Sequence, residues 1–302
     1  MIQTVNGCIE SDEIGITMSH EHICVDLSRV RNNLDSTFGN EPIVIEEIKQ
    51  AMDLKVKTFI EVTCNDMGRD AIELKNISDK TGIQIVASTG FYLDEYHSNE
   101  VKNKSIKEIA EIFIHDLTVG IDDTSIKAGV IGEVASSEIM TKSEEKVLHA
   151  AAIAANSVGC AITTHCQSGK LGEEQITIFL NEKVNPDKVI LGHIDLSNDI
   201  NYMISLMEKG FNIGFDTIGK EAYLLDTHRA NNLKTLIDKG YADKIVLSQD
   251  ISRKSYFNGM GEYLGYSTVM KKFIPMLFDV GVTRDDVFKM LMFNPQRIFD
   301  IQ

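Results

Sequence analysis

Ile16-Thr17-Met18-Ser19-His20-Glu21-His22 is a short β-like run that ends in two histidines separated by one residue. Alternate side chains of a strand face the same way, so the run predicts His20 and His22 projecting together from its carboxyl end. That is half of a metal site. Alone, a His-x-His pair is as often a surface accident as a site. Four later strand-like stretches also finish on a ligand type: Ala128 to Val134 with Glu133, Cys160 to Cys166 with His165, Lys188 to Ile194 with His193, and Lys244 to Asp250 with Asp250. Histidines and carboxylates recurring at strand ends form a constellation.

The rest of the chain alternates in the same manner. Thr58 to Cys64, Gln84 to Gly90 and Phe211 to Ile218 also read as strands, which brings the number to eight. Between and after them lie helix-like segments at Ile43 to Met52, Arg69 to Thr81, Ser105 to Gly120, Ser143 to Val158, Glu173 to Asn181, Ser197 to Lys209 and Arg229 to Asp238. Two terminal helices follow, Ser267 to Val280 and Arg284 to Met292. Ile106, Ile109, Ile112, Phe113 and Leu117 show the helical period, while Ser143 and Gly159 read as the N-cap and the stop of another helix. No linker, repeat or low-complexity tract interrupts the pattern. It predicts an α/β fold, a single (β/α)₈ TIM barrel over residues 1–302. The active site of such a barrel lies at the carboxyl ends of its strands, where every proposed ligand falls.

Composition narrows the partners. A net charge of −15 and a pI near 5.0 argue against nucleic acid or an anionic membrane, since either needs a concentrated basic face. Cys8, Cys24, Cys64, Cys160 and Cys166 are odd in number and irregularly spaced, so free thiols are expected rather than a disulfide framework. The first residues lack the basic and apolar regions of a signal peptide, and no apolar run reaches the roughly 18 residues of a membrane span. A protein of the reducing cytoplasm, acting on a small molecule, is expected.

Nitrogen and carboxylate ligands without thiolate point to zinc, or to manganese or cobalt, rather than to calcium or magnesium. His20, His22, Glu133, His165, His193 and Asp250 are too many for one ion with an open position. Glu133 is the natural carboxylate to bridge two divalent ions. Two such ions can hold a hydroxide, lower its pKa and polarise the bond it attacks, which is hydrolytic chemistry.

These residues also carry a family resemblance. The histidine pair, Glu133, His165, His193 and Asp250 resemble the amidohydrolase superfamily. Thr163-Thr164-His165, Leu191-Gly192-His193 and Gly240-Tyr241-Ala242-Asp243-Lys244-Ile245-Val246-Leu247-Ser248-x-Asp250 are similar to the phosphotriesterase family, which includes lactonases and phosphotriesterase homology proteins. The resemblance runs from about His20 to Phe299. Where the triesterases carry a carboxylated lysine, this chain has Ala128-Gly129-Val130-Ile131-Gly132-Glu133, which matches the branch bridged by glutamate. The resemblance implies that His20 and His22 with Asp250 bind the more buried ion, His165 and His193 the more exposed one, and Glu133 both. It further implies that Asp250 takes the proton from the attacking hydroxide and passes it to the leaving oxygen, and that the protein forms a homodimer.

Substrate expectations rest on the loops. Tyr92 matches the position where lactonases of the family place an aromatic hydroxyl over the ring oxygen. Lys220, and Arg253 and Tyr256 in Asp250-x-x-Arg253-x-x-Tyr256, follow the seventh and eighth strands, where TIM barrels often bind phosphate. This arrangement resembles the branch that opens phosphorylated sugar lactones, which is the expected activity. Another ester, a phosphotriester or an amide is the alternative on the same metals, and a metal-binding barrel without catalysis is the competing class. His97, His115, His149 and His228 read as surface residues, with His228 within reach of substrate from the segment near Lys220.

Overall fold

The structure, a computed structural model, describes residues 1–257 and 264–301. Its barrel strands are β1 (Ile16–Glu21), β2 (Val56–Glu61), β3 (Gln84–Val86, resumed at Ser88–Thr89), β4 (Val130–Ser136), β5 (Ala161–Cys166), β6 (Val189–Leu191), β7 (Asn212–Phe215) and β8 (Ile245–Leu247). Neighbours pair in parallel around the barrel, with Met18 opposite Phe59, Phe59 opposite Ile85, Ser88 opposite Val130 and Val130 opposite Ala161. The ladder continues with Ile162 opposite Val189, Ile190 opposite Asn212 and Ile213 opposite Ile245. Side chains join β8 to β1: the His20 N–H donates to Ser248 Oγ at 3.1 Å, and the Glu21 carboxylate accepts from Ser248 Oγ and from the Gln249 and Ile251 N–H groups.

The strand period sorts the core into two layers. Ile60, Val86, Val130, Ala161, Ile190 and Val246 point inward and pack together, while Phe59, Ile85, Ile131, Ile162, Leu191 and Leu247 point outward beneath the helices. Both faces are buried, which is why the strands read as nearly continuous apolar runs. A hairpin of Ile2–Thr4 and Gly7–Ile9 lies at the amino end, where Ile2, Ile14, Ile298 and Phe299 join the inner layer and plug it. The open end of the barrel is therefore the carboxyl one. Among the described residues no helix is long and apolar enough to cross a membrane.

Several boundaries differ from the sequence reading. Glu133 lies inside β4 rather than at its end, while β6 stops at Leu191 and β8 at Leu247. His193 (φ 60°) and Asp250 (φ 50°) therefore sit on the turns beyond their strands, in the left-handed region. The helix Lys142–Val158 is capped by Thr141, not Ser143: Thr141 Oγ1 accepts the Glu144 N–H at 3.2 Å and Glu144 answers on the Thr141 N–H at 2.9 Å. Ser143 faces His97 instead. Neither terminal helix is uniform. Val269–Phe273 and Lys289–Phe293 are π-helical before the α-helices Ile274–Asp279 and Asn294–Phe299, each of which carries a proline, Pro275 or Pro295, in its first turn. Proline lacks the N–H that a regular ladder needs, so the wide turn falls just before it.

Candidate metal centre

Glu133 projects from β4 into the mouth of the barrel, and the histidines close around it. Its Oε2 is 3.0 Å from His165 Nδ1, 3.3 Å from His20 Nε2 and 3.6 Å from His193 Nε2, while its Oε1 is 3.3 Å from His22 Nε2. Three groups of metal-ligand type result among the described residues, each with its ligand atoms within 4.8 Å of one another: His20 with His193 and Asp216, and two that share a carboxylate, His20 with His22 and Glu133, and His165 with His193 and Glu133. Glu133 is the carboxylate common to the last two. Asp250 stands beside the group of His20, His22 and Glu133, its Oδ1 3.2 Å from His22 Nε2 and its Oδ2 paired with Lys220.

Outer partners decide which ring nitrogen each histidine offers. Thr63 Oγ1 gives its proton to Glu61, so it accepts from His22 Nδ1 at 2.9 Å and leaves Nε2 bare toward Glu133. Asp216 accepts from His193 Nδ1 at 2.8 Å, and Gln167 Oε1 accepts from His165 Nε2 at 2.8 Å. The free nitrogens of these rings, Nε2 of His193 and Nδ1 of His165, again face Glu133. An acceptor behind the imidazole is the usual way a protein orients a metal-binding histidine. His20 is buried, and neither of its ring nitrogens makes a hydrogen bond, although Glu133 and Asp216 oxygens lie 3.3 Å and 3.4 Å away. An orphaned buried imidazole inside a nitrogen and carboxylate donor set fits a divalent transition ion.

The electrostatics agree. Burial opposes charge on the rings, yet Glu133 and Asp216 raise His20 well above the usual histidine value. Against the same burial, hydrogen bonds to Asp250 and Glu133 raise His22 to about 9, and Asp216 raises His193 to about 10. Burial likewise opposes ionised carboxylates, but His20 and His165 hold Glu133 well below its ordinary range, His193 and His20 hold Asp216 low, and Lys220 and His22 hold Asp250 low. The site stabilises positive charge between buried carboxylates, and a metal cation can take the place of those protons.

Above the cluster opens a cavity of about 420 Å³, lined in part by Arg31, Tyr92, Lys220 and Arg253. The buried Tyr92 hydroxyl lies 3.3 Å from His165 Nδ1 with its ring edge-on to the imidazole. The Tyr92 backbone is held at both ends, its N–H by Asp66 at 3.0 Å and its carbonyl by His97 Nε2 at 2.9 Å. His97 is thus buried under the site and not a surface residue. Lys220 is buried too, with its ammonium on Asp250 and 5.6 Å from the centre of the Tyr256 ring. Arg253 stacks on the same ring at 6.0 Å. Tyr256 is not on the cavity wall but behind these cations. His228 is exposed and off the wall, His115 is exposed, and His149 pairs with Glu182 at 2.7 Å.

Sequence reasoning missed Asp216, Thr63, Gln167 and Arg31. Asp216 had a signal, a carboxylate interrupting the apolar run Phe211 to Ile218. A buried strand keeps such a group only where it has partners. Thr63 lies just past β2, Gln167 opens a single helical turn after β5 and Arg31 ends a one-turn helix, segments too short for a periodicity to mark them.

The Phosphotriesterase family profile matches residues 1–299. The phosphotriesterase homology protein of Escherichia coli is 36% identical over 289 residues, 95% of this chain and 99% of its own. Its crystal structure, complexed with phosphate in the active site, aligns with a TM-score of 0.93 over 96% of this chain and 100% of that one. An aryldialkylphosphatase of Saccharolobus solfataricus is 34% identical over 306 residues, 96% of each chain. The crystal structure of a lactonase of Listeria monocytogenes, 27% identical, aligns with a TM-score of 0.94 over 100% of this chain and 99% of that one. Agreement of sequence and barrel over nearly the whole chain places the protein in the phosphotriesterase family, as a metal-dependent hydrolase.

Proposed function

We propose that the enzyme opens lactone rings at a pair of divalent ions, and that its substrate carries a phosphate. The observation that carries this reading is one cavity that joins the histidine and carboxylate cluster to the Tyr92 hydroxyl and to the cations Lys220 and Arg253. His20, His22 and Asp250 would hold one ion, His165 and His193 the other, and Glu133 both. Zinc suits this donor set, as do manganese and cobalt. Ions held there supply an acidified water and a polarised carbonyl.

The chain's own residues do the rest. Asp250, kept ionised by Lys220 and His22, accepts a proton as water adds to the ring carbonyl carbon. It returns that proton to the ring oxygen as the ester C–O bond breaks. Tyr92 remains a phenol, because burial and the nearby Glu133 push its hydroxyl well above the usual value, so it donates toward the ring oxygen. Arg253 offers a planar fork to a remote phosphate, and Lys220 offers the N–H groups that Asp250 leaves free. The Tyr256 ring fixes both cations from behind. Binding energy far from the carbonyl then positions the ring for attack.

The phosphate in the active site of the E. coli relative and the lactonase activity of the Listeria neighbour support this reading. The aryldialkylphosphatase relative favours a second one, hydrolysis of phosphotriesters at the same cluster. A panel of lactones with and without a terminal phosphate, beside a dialkyl aryl phosphate, separates them by proton release. The proposal expects kcat/KM for the phosphorylated lactone to lead by about tenfold or more. Equal turnover of the plain lactone sinks the phosphate, and a faster triester selects the second reading. The unpaired thiols fit a reducing cytoplasm, where we place the enzyme as the homodimer its family resemblance implies. Light scattering tests the assembly.

A further inference from the structure

We propose that Arg31 is a second anchor for the anionic group of the substrate, acting with Arg253 across two loops that are latched together. The inference rests on the phosphorylated-substrate reading and adds a residue to it. Arg31 ends the short helix Ser28–Arg31 in the loop after β1 and lies on the cavity wall with Arg253. Its partners are neutral, the Tyr96 side chain and, at 3.5 Å, Ser36 Oγ. Among the described residues no carboxylate pairs with Arg31 or Arg253. Arg69, Arg229 and Arg297, by contrast, each hold an aspartate. In a chain with a net charge of −15, guanidinium groups on one cavity wall with no direct ion pair, Arg31 feeling Asp250 only at longer range, are poised for an anion from outside.

Latching makes the pair a built site rather than two solvated side chains. The Asp35 carboxylate accepts the Ser255 N–H at 2.7 Å and the Ser255 hydroxyl at 2.7 Å. Lys254 and Glu41 form a further ion pair between the same segments at 2.7 Å. The segment that bears Arg31 and the one that bears Arg253 are thus tied to each other within a few residues of each guanidinium. Two planar forks on joined supports match a terminal phosphate monoester, which offers several acceptor oxygens to bidentate donors.

The test uses the metal-loaded enzyme with sorbitol 6-phosphate and sorbitol, which have no lactone carbonyl, titrated by calorimetry. Wild type is expected to bind the phosphate and not the plain polyol. Arg31→Met should weaken sorbitol 6-phosphate by about tenfold to a hundredfold, the usual weight of a charge-assisted contact. Arg31→Lys, which keeps the charge and loses the fork, should fall between, and it preserves the test if the methionine variant misfolds. Unchanged affinity in Arg31→Met, with Arg253→Met weakened, overturns the Arg31 anchor and leaves the functional reading standing. Binding that depends on Arg31 in an enzyme that cleaves no lactone upholds the anchor and defeats the lactonase reading.

Discussion

Asp216 accepts the His193 Nδ1 proton at 2.8 Å and the His193 backbone N–H at 2.9 Å, so one buried carboxylate fixes both ring and chain at that turn. His193 sits at φ 60°, off the regular strand, and this grip directs its Nε2 at Glu133. Asp216→Asn keeps the shape but disturbs the acceptor. It should lower metal affinity by about tenfold to a hundredfold, measured by competition with a chromophoric chelator. Undiminished affinity would show that His193 needs no such support.

Tyr92→Phe removes only the hydroxyl that faces His165. If that hydroxyl stabilises the oxygen that leaves the ring, kcat/KM on lactones should fall by about a hundredfold. The melting temperature should hardly move, because the ring still fills its place against Tyr96 and His165. Steady-state kinetics and a thermal melt read the two effects separately, and unaltered kinetics would remove Tyr92 from the chemistry.

Burial pushes the Asp66 carboxyl up to about 7, against its hydrogen bond from the Tyr92 N–H. An unfolded aspartate titrates near 3.8, so between about pH 4 and about pH 7 the native state binds the extra proton. The stability from this group is full below the lower value and is lost as pH rises through the upper one. Asp66→Asn carries no such loss. Its melting temperature relative to wild type should therefore climb from pH 5 to pH 8, and a difference that stays flat across that range contradicts the assignment.

Arg229 is fully buried and donates to Asp195 at 2.7 Å, to Asp226 at 2.9 Å and to Thr217 Oγ1 at 2.7 Å. Arg229→Met strands Asp195 as an uncompensated buried carboxylate. Urea unfolding should show a loss of about 3–5 kcal/mol, part of it recovered in the double variant with Asp195→Asn. Additive losses in the double variant would mean that the two side chains act independently.

How far the sequence carries can be judged from particular residues. The barrel was legible because a buried parallel strand must be apolar on both faces, and Phe59 beside Ile60 or Ile85 beside Val86 shows that requirement directly. His20, His22, His165 and His193 were legible as a group because each lies near or just past the end of such a run, and the structure gathers them around Glu133 from within β4. Periodicity did not reveal where each strand stops, since Asp216 and Glu21 hold the turns after β6 and β8 through bonds between distant residues. His97 looked like a loop histidine because its burial depends on Ser143 and the Tyr92 carbonyl, which only the folded chain brings to it. Arg31 was hidden in a polar stretch for the same reason.

The central claim is that Glu133 belongs to two metal positions at once. Elemental analysis of wild type and Glu133→Ala, both purified without chelator, tests it most directly. Wild type should hold about two divalent ions per chain, and the variant should lose about one or more of them together with hydrolysis. A Glu133→Ala protein that keeps about two ions per chain would contradict the shared carboxylate and the mechanism built on it.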